Sequence, residues 1–348
     1  MTDSTSVSPS GRIAILDFLR GMAMILVILG HSQFPYDKVI MAFHMPLFFF
    51  LSGITTSLKP ARPFGPFIRT RLRKLLLPYL SFEVIALILS VILCRIHHDP
   101  IDLPRAVADI FLVRHSIGAA AHTGIIARFW FFPCIFFASL INYPIQRYGR
   151  KLVWKILYMC LCWIIGYCIF RFLPGILPLT LDIAFVAAGF IMLGSIFADV
   201  SLSLLNEDKV GRDLLGVAVG IAALILSVKY NPETVSFFVN QYGSFGWMLV
   251  GSIGGIMAAI IIFKYLFRLL QHVSLLSRAI CMIGFLSLAI FPVHLLVLYF
   301  LEHIHPFHWS LLFVITLLVS PLIAWLIKRF LPFLIGEKRQ NPCSYAGK

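Results

Sequence analysis

Apolar residues run along this chain in stretches of about 20, separated by polar connections of which 95–128 and 231–244 are the longest. Ten such stretches fall at residues 13–32, 39–58, 75–94, 129–145, 152–172, 180–200, 214–229, 245–267, 279–301 and 309–330. At 1.5 Å per residue, about 20 residues cross roughly 30 Å of hydrocarbon. Lipid offers backbone N–H and C=O groups no partner, so each stretch is predicted as a transmembrane helix. An eleventh segment, 106–127, is interrupted by Asp109, Arg114, His115 and His122 and is predicted as an external or re-entrant piece. The pattern predicts an all-α fold, a polytopic transmembrane helix bundle of about ten spans. A polar segment at 1–12 precedes the membrane domain at 13–332, and a tail at 333–348 follows it. Neither an internal repeat nor a soluble extension is legible.

Composition agrees with the pattern. Charged residues make up 13% of the 348 positions and hydrophobic ones 60%, where a soluble chain carries about 25% charge. The net charge of +14 is unevenly placed. With the N-terminus inside, the cytoplasmic connections collect Lys59, Arg62, Arg69, Arg71, Arg73, Lys74, Arg147, Arg150, Lys151, Lys209, Arg212, Lys264, Arg268, Arg278, Lys328, Arg329, Lys338 and Arg339. The outward ones hold only Lys38, Arg95, Arg105, Arg114, Arg128, Arg171 and Lys229. The positive-inside rule therefore predicts that both termini are cytoplasmic. The same asymmetry accounts for most of the charge without a nucleic-acid partner. Residues 1–11 lack a basic n-region and a cleavage site, so no cleaved signal peptide is expected. The seven cysteines lie mostly inside spans and form no metal-ligand spacing.

The first span carries Asp17, Arg20 and His31, and an ionised group near the bilayer centre costs roughly 2.5 kcal/mol or more on insertion scales. Eleven residues at about 100° each bring Arg20 and His31 onto one helix face, roughly 16 Å apart along the axis. They mark two levels of a polar track, with Asp17 one turn from Arg20 as its partner. An imidazole is the natural general base near neutral pH, able to take a proton from a hydroxyl attacking a carbonyl. His44 opens the second span and belongs to the same outer half of the membrane, either as a substrate group or as an interfacial histidine bonded to a carbonyl. Four cations, Arg69, Arg71, Arg73 and Lys74, then gather at the cytoplasmic surface. Arginine forks suit phosphates, so the run fits a phosphate-bearing cofactor and anionic lipid headgroups equally.

The sequence Asp17-x-x-Arg20-Gly21 leading to His31, the run Phe43-His44-Met45-Pro46-Leu47-Phe48-Phe49-Phe50-Leu51-Ser52-Gly53, and the Arg-rich segment closing on Leu76-Leu77-Pro78-Tyr79 resemble the integral-membrane acyltransferase 3 family. The compact, single-domain sugar O-acetylase (fucose 4-O-acetylase-like) branch is the most similar. The resemblance runs from Arg12 to Phe300, with later echoes at Arg128-Phe129-Trp130-Phe131-Phe132 and Gly284 to His294. Two positions depart from the family pattern: Phe132 stands where Leu is usual, and Pro292 interrupts the ninth span just before His294.

The resemblance implies that Arg20 and His31 are essential and that Arg69, Arg71 and Arg73 serve the acyl-coenzyme A donor, expected to be acetyl-coenzyme A as co-substrate; Lys74, beside them, is expected to join in holding its phosphates. It implies an acyl transfer, commonly of acetyl, to a hydroxyl of a surface or secreted glycan or its lipid-linked precursor, in a cytoplasmic (inner) membrane. His31 then acts as general base or, less directly, as a transient acyl carrier. Acceptor-side candidates are His44, Glu83, Arg128, Trp130 and His294. Glu83 serves equally as an interhelix bond and Trp130 as part of an aromatic belt. Asp182 is expected to be solvated at an outer interface. His303, His305 and His308 cluster in an outer loop, but their spacing gives little support to a metal site, and none is expected. The rival class is a secondary transporter of a small polar or anionic substrate, with a glycan flippase or exporter subunit behind it. Oligomeric state is not legible.

Overall fold

The computed structural model describes residues 14–98, 100–113, 125–126, 128–149, 151–173, 177–207 and 209–337. Arg12, Arg114, His115, His122, Arg150, Lys338 and Arg339 lie outside the described residues. Among the described ones there is no strand, only an isolated bridge between Ser236 and Gln241. The helices are α1 (Ala14–His31), α2 (Asp37–Met41), α3 (His44–Ser57), α4 (Phe64–Arg71), α5 (Leu77–His97), α6 (Leu103–Leu112), α7 (Phe131–Tyr148), α8 (Leu152–Phe172), α9 (Leu181–Ile196), α10 (Ala198–Asn206), α11 (Val210–Tyr230), α12 (Phe245–Leu270), α13 (Ser274–Ile304) and α14 (Trp309–Phe330).

All ten predicted stretches are helical. Eight helical segments are long and apolar enough to cross a membrane, and a ninth span forms if α9 and α10, bent by 55° at Phe197, are taken together. The tenth, α7, has 18 residues, but Asn142, Tyr143, Gln146 and Arg147 make its second half polar. The third span is longer than predicted. Phe64–Ile96 runs as one 33-residue unit, in which a π-helical turn at Leu72–Leu76 joins α4 to α5. Among the described residues of the eleventh segment the one helix is α6, capped by Asp102 accepting from the Arg105 N–H at 3.1 Å. At 10 residues it is too short to span.

Lipid supplies no hydrophobic force between helices, so close backbone approach and interhelix hydrogen bonds must hold the bundle. Glycine allows the close approach of two helix pairs. A Cβ at Gly21 of α1 would enter the Ile280 carbonyl of α13, and one at Gly284 would enter the Asp17 carbonyl of α1. Gly53 of α3 and Gly194 of α9 are locked together in the same reciprocal way. Polar bonds add to these: Asn142 donates to the Ala188 carbonyl at 2.9 Å, and Ser252 donates to the Ala42 carbonyl at 2.7 Å. Near the α10–α11 junction, Lys264 and Asp213 form an ion pair at 2.6 Å with both side chains buried. The faces of α8, α11 and α14 left outside carry exposed Leu, Ile, Val and Trp, as lipid requires.

Pro292 does not break its span. α13 runs continuously past it, as packed membrane helices allow where neighbouring groups can re-satisfy the backbone that a proline frees. The α1–α13 pair therefore stays in contact over its length, and it carries both Arg20 and His294.

Candidate active site

A cavity of about 550 Å³ opens at the basic end of the bundle, within the size range of small-ligand sites. Eight cationic side chains line it, Arg20, Lys59, Arg62, Arg71, Lys74, Arg147, Lys155 and Lys328, against one carboxylate, Glu337. Lys328 already donates to that carboxylate at 3.0 Å. Burial comes first, then the charges of Arg20, Lys74, Arg62 and Arg71, in holding the Lys59 ammonium below the ordinary lysine range. Crowded cations that repel one another in this way are what a polyanion relieves.

Local packing fixes the mouth. The Arg71 guanidinium lies 5.4 Å from the Phe67 ring centre, and Phe67 packs on Tyr143 at 4.7 Å. The Tyr143 hydroxyl donates to the Arg62 carbonyl at 3.1 Å, and Arg147 donates to the Ala61 carbonyl at 3.5 Å. The connection after α3 is thereby tied to α7. Of the predicted phosphate run, Arg71 and Lys74 line the cavity, whereas Arg69 and Arg73 are not among its lining residues. Arg69 is exposed, and the Arg73 backbone carbonyl packs against Gly336.

Arg20 lines the cavity and donates to Asp17 Oδ1 at 3.5 Å. The inner wall carries Ser52, Ser195, Phe131 and Phe291. The two rings sit 4.7 Å apart, and behind Phe291 comes His294 at 5.6 Å. His294 is followed by His31 at 5.5 Å, and His31 by His44 at 6.4 Å. Three imidazoles from α1, α3 and α13 thus form a chain beyond the cavity, which reaches the wall ring Phe291 through His294. His44 and His294 each turn Nδ1 to the carbonyl one turn earlier, Ile40 at 2.9 Å and Ile290 at 3.2 Å. Arg128 is close enough for its charge to act on His31.

His31 ends α1 and is half-buried, while His44 and His294 are buried. Gln33 follows in a left-handed conformation, φ 59°, and its amide donates to Glu302 at 2.9 Å. Phe34 meets Trp309 at 5.1 Å and Tyr36 at 5.7 Å. These groups surround the end of α1 opposite the cavity mouth.

The remaining candidates lie apart from the cavity. Glu83 is fully buried in α5, one turn after Tyr79, whose hydroxyl donates to the Ile110 carbonyl. Trp130 is 7% exposed and set edge-on to Phe131, so it offers no open face for a sugar to stack on. His294 does not line the cavity; Phe291 stands between them. Asp182 is not solvated. It is buried in the first turn of α9. Among the described residues no three His, Cys, Asp or Glu side chains converge as metal ligands. His303 bonds the Tyr299 carbonyl, and His308 the Ser310 hydroxyl. In the sequence Lys59, Arg62, Arg147 and Lys328 read as topology signals, and Lys155 carries no signal of its own. Only the fold brings these five, from four separate segments, to one wall.

A family model described as an acyltransferase domain matches residues 13–329, nearly the whole membrane bundle. The chain belongs to this family. It is accordingly a multi-pass membrane acyltransferase, and the transporter reading gives way. Neither the curated proteins nor the solved structures hold a match to the acyltransferase. The match spans every helix that contributes to the cavity and to the histidine group.

Proposed function

We propose that this acyltransferase moves an acetyl group from cytosolic acetyl-coenzyme A to a hydroxyl of a cell-surface or secreted glycan, or of its lipid-linked precursor, in the cytoplasmic membrane. The observation that carries the proposal is the cavity with eight cations and one paired acid, whose inner aromatic wall backs onto His294 and His31. Coenzyme A is a polyphosphate with a long thin arm. Its phosphates are the ligands that Arg62, Arg71, Lys74 and Arg147 favour. Arg20, held by Asp17, lines the path of the arm. The distance of roughly 16 Å from Arg20 to His31 along α1 is then the distance the arm must cover.

His31 removes the proton of the acceptor hydroxyl as its oxygen attacks the thioester carbonyl. A C–O bond forms, the C–S bond breaks, and the imidazolium returns the proton to the departing thiolate. The acceptor approaches at the half-buried His31 edge, past Gln33, Glu302 and the Phe34–Trp309 pair. Sugar hydroxyls suit such an amide–carboxylate pair beside aromatic rings. This layout favours the sugar O-acetylase branch of the family.

Equilibrium binding of acetyl-coenzyme A to the protein in lipid nanodiscs tests the donor assignment. Arg71→Ala, on the cavity wall, is expected to weaken binding about tenfold or more, the loss of a charge-assisted bond. Arg69→Ala, off the wall, is expected to stay within about twofold. Equal loss from both variants, or no binding by the wild type, would overturn the donor site.

A further inference from the structure

We propose that His294 is the positioning residue of His31: its Nε2 accepts a hydrogen bond from the N–H of His31 and holds that imidazole in the single tautomer that leaves its other nitrogen free as base. The inference rests on the general-base reading of His31 and adds a second histidine to it. Four observations carry it. His294 is fully buried in α13, between Phe291 and His31, and is not a cavity-wall residue. Its Nδ1 lies 3.2 Å from the Ile290 carbonyl, an arrangement that requires the proton on Nδ1 and leaves a lone pair on Nε2. That Nε2 is buried with no hydrogen-bond partner, a costly condition for an acceptor unless a donor is meant to reach it. The imidazole nearest to it, at 5.5 Å between ring centres, is His31, and catalytic hydrogen bonds commonly tighten only in the substrate complex.

The chemistry is that of an orienting group. When His31 takes the hydroxyl proton it carries N–H on both nitrogens. One returns its proton to the thiolate, and the other stays bonded to His294 Nε2. No proton passes to His294, and the balance of the transfer is unchanged. His44 lies at 6.4 Å from His31 and nearly perpendicular to it, with its own Nδ1 committed to Ile40. His294, tilted by 42°, is the better placed of the two.

Protein with ¹⁵N-labelled histidine in lipid nanodiscs tests this by NMR, with the His31 signals assigned by their loss in His31→Ala. Wild type is expected to show His31 as one neutral tautomer. His294→Leu keeps the bulk and removes the acceptor, and is expected to give His31 as a mixture of tautomers. His294→Gln, whose amide oxygen can replace Nε2, is expected to restore one. In parallel, thiol release from acetyl-coenzyme A is expected to fall about 10- to 100-fold in kcat for His294→Leu and to recover largely in His294→Gln, with KM for the donor unchanged. A His31 spectrum identical in wild type and His294→Leu overturns the inference, as does equal loss of kcat in Leu and Gln variants that both remain folded. Absent thiol release in the wild type would count against the acyl-coenzyme A reading alone, since the tautomer of His31 is read without turnover.

Discussion

At the scale of single residues, Lys59 carries the most direct electrostatic consequence. Its ammonium sits below the ordinary lysine range because burial and four neighbouring cations disfavour the charged form. A bound polyphosphate favours the charged form, so binding must take up a proton wherever Lys59 is already neutral. Donor affinity is therefore expected to fall as pH rises through the Lys59 pKa, earlier than an ordinary lysine would allow. Lys59→Arg, which keeps its charge at every accessible pH, is expected to flatten that decline. Titration of acetyl-coenzyme A affinity against pH for both proteins checks it; identical slopes would remove Lys59 from the donor site.

Among the elements, α1 and α13 form the spine that places Arg20, His31 and His294. Their contact depends on Gly21 and Gly284 each meeting a carbonyl of the other helix. Gly284→Ala is expected to destabilise the bundle by about 1–3 kcal/mol, the usual range for overpacking, and to lower its thermal midpoint in detergent. Gly65 in α4 has no heavy atom within 4 Å of an added Cβ, so Gly65→Ala is expected to be neutral or stabilising by up to about 1 kcal/mol. The ten helices were legible because a run of about 20 apolar residues has one solution in lipid. The 55° bend at Phe197 and the π-turn at Leu72–Leu76 were not, since neither leaves a mark in hydropathy. Pro292 misled in the other direction, as a proline in a packed membrane helix need not break it.

For the whole molecule, charge asymmetry and the cavity make a joint prediction. The cavity cations cluster where α3, α7 and α14 end and α4 begins. If the donor is cytosolic, both termini lie on the cytoplasmic side. A fluorescent protein fused after residue 348 should fluoresce, and alkaline phosphatase fused there should be inactive; the reverse pattern would place the cavity on the wrong side for coenzyme A. Part of the candidate site was legible in the sequence: Arg20, Arg71 and Lys74 line the cavity, and His31 lies beyond it. Arg20, His31, Arg71 and Lys74 stand out because charge inside or beside a span is costly. Lys155 and Lys328 look like ordinary helix-end cations until the bundle closes around them, and nothing in the sequence marks Phe131 and Phe291 as one wall.

The proposed function stands on one step, in which His31 as general base drives acyl transfer from a donor held in the basic cavity. Thiol release from acetyl-coenzyme A by the purified protein in lipid vesicles, with and without a crude glycan extract, reads that step in wild type and His31→Ala. Release is expected to require both the extract and His31, with the acetyl label recovered on the glycan. Release that persists in His31→Ala would contradict it.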